Sequence, residues 1–274
     1  MALPIERLAR RIELTGAPLC LGIDPHPDQL PAGLTRDVNG VETFARGVLE
    51  AAADRAAAVK INVAFFEAFG SAGWAALERV RADVPADHVL ILDAKRGDIG
   101  STAVRYAESL LGRLAADGVT VSPYVGAAAI EPFLAYANAI VYVLVRTSNP
   151  DAGTLQDLVL ESGERLHERV ARWVSSTWPE PRVGLVVGAT APGELAALRR
   201  QVPEPAFLVP GVGAQGGDAG AAAEACHGTR APGIVNVTRG IGLASRGDDW
   251  RDAAGRAAGE WRDRLASAGA TLGA

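Results

Sequence analysis

The chain has 274 residues, 49% hydrophobic and 22% charged, with 32 acidic against 27 basic side chains and a formal net charge of −5. That composition excludes an intrinsically disordered chain and provides no overall basic field for a nucleic acid. The length exceeds a minimal domain but suits an α/β barrel, which reaches about 200–250 residues as one unit, so a single large domain is expected.

The first eighteen residues read as an amphipathic helix, at about 3–15, that plugs or flanks one end of a larger body. Beyond it, eight short β-rich runs alternate with amphipathic stretches rich in Ala, Leu and Arg. They are APLCLGID (17–24), AAVKIN (57–62), HVLILDAK (88–95), GVTVSP (118–123), AIVYVLVRT (139–147), RVGLVVGAT (182–190), AFLVPGVG (206–213) and GIVNVTRG (233–240). Most are bounded by Gly or Pro, as strands are. Eight strands separated by helices imply a closed parallel barrel, an α/β (βα)8 TIM barrel in one domain. An open doubly wound sheet would show a GxGxxG turn after its first strand, and LGIDPHPDQL contains none. The longest connection, at about 147–181, follows the fifth strand as a helical insertion with its helix around residues 158–175. The alanines of GGDAGAAAEACHGTRAPG suit a helix after the seventh strand, and the last helix is expected to close against the first.

The third run ends in charges, with Asp93, Lys95 and Asp98 in a DxKxxD spacing. In an extended strand Asp93 and Lys95 share a face, two residues apart. Lys60, at the end of the second run, can join them, so the expected network alternates Lys60, Asp93, Lys95 and Asp98. Barrel chemistry gathers at the C-terminal ends of strands, where this chain also carries Asp24, Ser122, the Thr147/Ser148/Asn149 cluster, Thr190, Gln215 in the seventh loop and Arg239. Thr190 or Asn149 alone is read as solvating the barrel mouth. A purely structural ion pair is the competing reading for Asp93 and Lys95, but buried charges cost several kcal/mol each unless paired, and four alternating charges favour function.

PGVGAQGG, Pro210 to Gly217, and NVTRG, Asn236 to Gly240, follow the last two strands, where barrels commonly hold a phosphate. Glycines let backbone N–H groups approach an anion, and Arg239 can grip two phosphate oxygens. The four histidines, His26, His88, His167 and His227, are scattered and read as surface or packing residues, and the strand ends supply lysines where a metal would need His, Asp or Glu. No metal is expected. Cys20 and Cys226 read as small buried hydrophobes rather than a disulfide. No apolar run approaches the roughly 20 residues of a membrane span, and no stretch reads as a signal peptide. A cytoplasmic protein with no membrane or nucleic-acid partner is expected.

The motifs DAKRGDIGSTA, LGIDP, VKIN, VSPYVG, PGVGAQGG and NVTRG, in this order from about residue 18 to 245, resemble those of the orotidine 5′-phosphate decarboxylases. LGIDPHP, VRTSNP and the length are similar to the longer bacterial, actinobacterial-type subclass. The resemblance implies conversion of orotidine 5′-monophosphate to UMP and carbon dioxide, the last step of de novo UMP synthesis, with no cofactor. It implies that Asp93 lies beside the substrate carboxylate between Lys60 and Lys95, and that Lys95 protonates the C6 carbanion. Asp24 and Lys60 then hold the ribose hydroxyls and Ser122 reads the pyrimidine amide edge. Pro210, Gln215, Gly216 and Arg239 bind the phosphate end. Asp98, Ile99 and Thr102 reach a neighbouring subunit's site, implying a homodimer with shared active sites.

Three rivals stand beside that reading. Magnesium-dependent sugar-phosphate lyases and decarboxylases of the same barrel suprafamily share the DxKxxD core, but usually follow its lysine with Thr, where this chain has Arg96 and Gly97. A Schiff-base aldolase needs an unprotonated lysine, which neighbouring carboxylates oppose. A nucleotide-phosphate sensor would have no use for both lysines.

Overall fold

Eight strands close on themselves in sequence order, every neighbouring pair parallel, with β8 returning to β1. The computed structural model describes residues 2–213 and 216–270. Helix α1 (Pro4–Thr15) precedes β1 (Leu19–Ile23), then come α2 (Val38–Ala52), β2 (Ala58–Asn62), α3 (Ala64–Glu67) and α4 (Gly70–Ala82). β3 (Val89–Arg96) leads into α5 (Gly100–Ala107), β4 (Gly118–Val121), α6 (Glu131–Leu134) and β5 (Ile140–Arg146). The connection after β5 carries α7 (Gly153–Gln156) and α8 (Leu166–Thr177). It is followed by β6 (Val183–Val187), α9 (Pro192–Gln201), β7 (Phe207–Val209), α10 (Ala219–Ala225), β8 (Ile234–Val237), α11 (Arg239–Gly242) and α12 (Trp250–Ala270).

Alternation along the strands divides the core in two. One set of apolar side chains, among them Leu21, Val59, Leu92, Val141 and Val235, faces the surrounding helices. The other fills the barrel, where Cys20, Ile91, Tyr142, Val186, Leu208 and Ile234 pack together. Leu8 of α1 belongs to this inner cluster and is fully buried, so α1 plugs the floor. Its hold is polar as well: Arg11 donates to Ala56 O at 2.7 Å and to Asp87 Oδ2 at 3.0 Å. The last helix does not close chiefly on the first. α12 packs on α2, α10 and α11 and over β1, because Ala254 and Ala258 give it a small-residue face for close approach.

The insertion also differs from its sequence reading. Residues 158–165 form a tight turn instead of the first part of a helix, with Val159 and Arg165 bridged and Leu160 N–H donating to Glu164 O at 2.9 Å. Gly163 turns the chain at φ +83, in the left-handed region glycine enters freely. Cys20 and Cys226 are both buried and unpaired. No described helix is long and apolar enough to cross a membrane.

Candidate active site

A cavity of about 400 Å³ opens at the C-terminal ends of the strands. Asp24 follows β1, Lys60 stands on β2, Asp93 and Lys95 on β3, Pro210 after β7, and Arg239 at the start of α11, and all six line it. Room for them depends on Gly22: a Cβ there would fall 2.0 Å from Thr238 Oγ1 and 2.8 Å from Asn236 Oδ1.

Lys60 is 3% exposed, yet its ammonium has carboxylates on two sides. Nζ donates to Asp93 Oδ2 at 3.0 Å and lies 3.6 Å from Asp24 Oδ1. The other Asp93 oxygen accepts from Lys95 Nζ at 2.6 Å and from Thr120 Oγ1 at 2.8 Å. Burial alone would raise the Asp93 carboxyl, but the charges and hydrogen bonds of Lys60 and Lys95 outweigh it and hold the group well below the usual carboxylate range. Burial likewise works to lower Lys60, and Asp24 and Asp93 reverse that effect and raise it. Asp93 is therefore an anion and Lys60 a cation throughout the neutral range.

The alternation expected of an extended strand is not what brings Asp93 and Lys95 together. Between Leu92 and Arg96 the register with β4 shifts, and Lys95 takes a positive φ of 47. This is a bulge. Thr120 makes it possible: its Oγ1 accepts from both Ala94 N at 3.1 Å and Lys95 N at 3.0 Å, replacing the carbonyl partners that the bulge removes. Thr120 and Asn62 also line the cavity, and neither was singled out from sequence. Asn62 was open to notice, since it ends the VKIN motif directly opposite Asp93. Thr120 carried no such signal, because its partners lie 25 to 27 residues away.

Asp98 stands outside the network. It lies past the bulge on the turn into α5, where its Oδ1 accepts from Ile99 N at 2.7 Å, and Asp24 takes the fourth place beside Lys60 instead. Ile99 and Thr102 are exposed on the same turn and helix. Ser122 follows β4, its N–H donating to Arg96 O at 2.7 Å, and it does not line the cavity. Gly216 closes back on Gly213 O at 2.8 Å, and Gln215 lies outside the described residues. Thr147, Ser148 and Asn149 do form part of the wall.

Two of the four histidines, His88 and His167, are buried packing residues. His88 meets Arg11 Nη2 at 2.9 Å beneath the floor, and His167 Nδ1 meets Gln156 O at 2.9 Å. His167, Asp157 and Glu194 bring possible ligand atoms within 4.8 Å of one another. Arg146 already pairs with both carboxylates, at 3.2 and 2.9 Å, and Arg165 with Glu194 at 3.0 Å, so the cluster is a neutralised ion-pair network.

Residues 17–252 match the family model described as Orotidine 5′-phosphate decarboxylase / HUMPS family. An orotidine 5′-phosphate decarboxylase of Roseiflexus castenholzii is 48% identical over 91% of this chain and 92% of its own length. Among solved structures, Leishmania donovani UMP synthase is similar at TM-score 0.83 and 38% identity, over 97% of this chain and 57% of that one. A putative orotidine 5′-phosphate decarboxylase from Streptomyces avermitilis is similar at TM-score 0.83 and 35% identity, over 98% and 97% of the two chains.

Proposed function

The chain belongs to the orotidine 5′-phosphate decarboxylase / HUMPS family, and from that premise we propose that Lys60, Asp93 and Lys95 carry out the decarboxylation. The activity is that of a carboxy-lyase, converting orotidine 5′-monophosphate to UMP and carbon dioxide. The observation that carries the mechanism is the Asp93 anion, gripped at 3.0 and 2.6 Å by two ammonium groups on the wall of the cavity. Asp93 faces the departing carboxylate. As the C6–carboxylate bond breaks, its electron pair stays on C6, and Lys95 Nζ is placed to stabilise that charge and deliver a proton to it. Lys95 then recovers a proton from solvent, to which its side chain is half exposed.

Asp24 and Lys60, 3.6 Å apart, hold the ribose hydroxyls, and Ser122 reads the pyrimidine amide edge. Arg239, with Pro210, Gln215 and Gly216, takes the phosphate. That group is remote from the reacting carbon, so its binding energy can organise loops and charges around the ring. Asp98, Ile99 and Thr102 complete a neighbouring site in a cytoplasmic homodimer. In support, Ile99, Val104, Tyr124 and Val125 leave apolar surface exposed on the segments after β3 and β4. Nothing in the site or in the named relatives favours the magnesium-dependent sugar-phosphate chemistry.

Loss of orotate-ring absorbance on adding orotidine 5′-monophosphate to EDTA-treated protein tests the reading. Rapid formation of UMP is expected from wild type, and a loss of at least about a thousandfold from Asp93→Asn. Equal rates in the two proteins would remove Asp93 from the mechanism.

A further inference from the structure

Thr120 stands on β4 with 1% of its surface exposed, and its hydroxyl has no bonding position to spare. A hydroxyl offers one proton and two lone pairs. Here the oxygen accepts from Ala94 N at 3.1 Å and from Lys95 N at 3.0 Å, and backbone amides can only donate. The proton is therefore directed to Asp93 Oδ1, 2.8 Å away. The same carboxylate oxygen accepts from Lys95 Nζ at 2.6 Å, which closes a circuit. Lys95 is tied to Thr120 through its backbone and to the acceptor of Thr120 through its ammonium.

Turnover opens this circuit at one place. In the mechanism above, Lys95 gives a proton to carbon and stays a neutral amine until solvent restores it. For that interval Asp93 Oδ1 loses its charged partner, although the carboxylate is largely buried and Lys60 remains on Oδ2. A buried anion without a donor is costly, and Thr120 is the donor on Oδ1 whose proton does not leave. Its oxygen also holds the Lys95 backbone in the left-handed bulge, so the amine stays where its proton was given up.

We propose that Thr120 is a positioning residue for proton delivery, holding Lys95 against the reacting carbon and keeping Asp93 paired while Lys95 is between protons. The inference rests on the decarboxylase reading and extends it to a residue to which that reading gives no role.

The chain has two lysines, Lys60 and Lys95, so protein made with isotopically labelled lysine reports on these two residues alone. Lys95→Arg assigns the signals. In Thr120→Val, which keeps the shape and removes the hydroxyl, the Lys95 backbone amide should exchange with solvent about tenfold faster, the worth of one hydrogen bond, while the Lys60 amide is unchanged. Turnover of orotidine 5′-monophosphate should fall by about a hundredfold in kcat, the effect of a displacement near 1 Å, with calorimetric affinity for UMP close to wild type. Thr120→Ser keeps the hydroxyl and should restore both exchange and kcat. Thr120→Ala carries the expectations of the valine variant should valine not fold at this position. Unchanged kcat in a folded variant without the hydroxyl, no rescue by serine, or equal losses in kcat and UMP affinity overturns the proposal. Wild-type protein without turnover overturns the decarboxylase reading instead, and amide exchange at Lys95 still decides whether Thr120 holds the bulge.

Discussion

The barrel buries a cation at each end, and the two are held in opposite ways. At the floor, Arg11 is 7% exposed and spends its donors on the carbonyls of Ala56 and Asp54, on His88 and on the outer carboxylate of Asp87. At the mouth, Lys60 is 3% exposed and has Asp24 and Asp93, both on the wall of an open cavity. A cation bound to backbone carbonyls ties strands together and has little left to offer a ligand. One bound to carboxylates beside a cavity can exchange part of its hydrogen bonding when a substrate enters. Burial of charge therefore does not mark the site in this molecule; the nature of the partners does.

Paired substitutions test the difference between the two ends. Lys60→Met should lower turnover by about a thousandfold, close to 4 kcal/mol of transition-state stabilisation, while circular dichroism still reports a folded barrel. Arg11→Met should do the reverse: kinetics close to wild type, and about 3 kcal/mol less stability in denaturant titration, because carbonyls and a carboxylate lose their donor. A large kinetic loss in Arg11→Met would mean that the floor takes part in the chemistry.

A smaller effect should appear in the pH dependence of melting. Asp93 is depressed on folding, so its contribution is present above the unfolded carboxylate value of about 3.9 and is lost as pH falls through the folded one. Lys60 is raised, so its contribution is complete below about 10.4 and is lost as pH rises through its folded value. The stability gap between wild type and Lys60→Met should be flat across the neutral range and narrow at both extremes. A gap that closed near pH 6 would mean that another group governs the mouth.

The barrel was legible because each strand is a short apolar run with its own local boundaries, as in VLILD or IVYVLV. The site was legible in part, through charges that end such runs. Thr120 escaped notice because a threonine inside a strand is ordinary, and its partners come from a neighbouring strand. The turn at residues 158–165 escaped because Leu158, Val159 and Leu160 read like a helix face, whereas the bonds that bend them are made across the turn. Asp98 was assigned to the network by spacing alone, and the bulge at Lys95 redirects the chain before it arrives.

That bulge places the chain's own fitness in tension. A side chain on a left-handed backbone costs about 1 kcal/mol that glycine would not incur. Lys95 thus occupies a position where selection for durability alone would favour discarding it. The scaffold keeps its ammonium in place by holding stability below what the same fold could reach, an exchange of robustness for activity made at a single peptide unit.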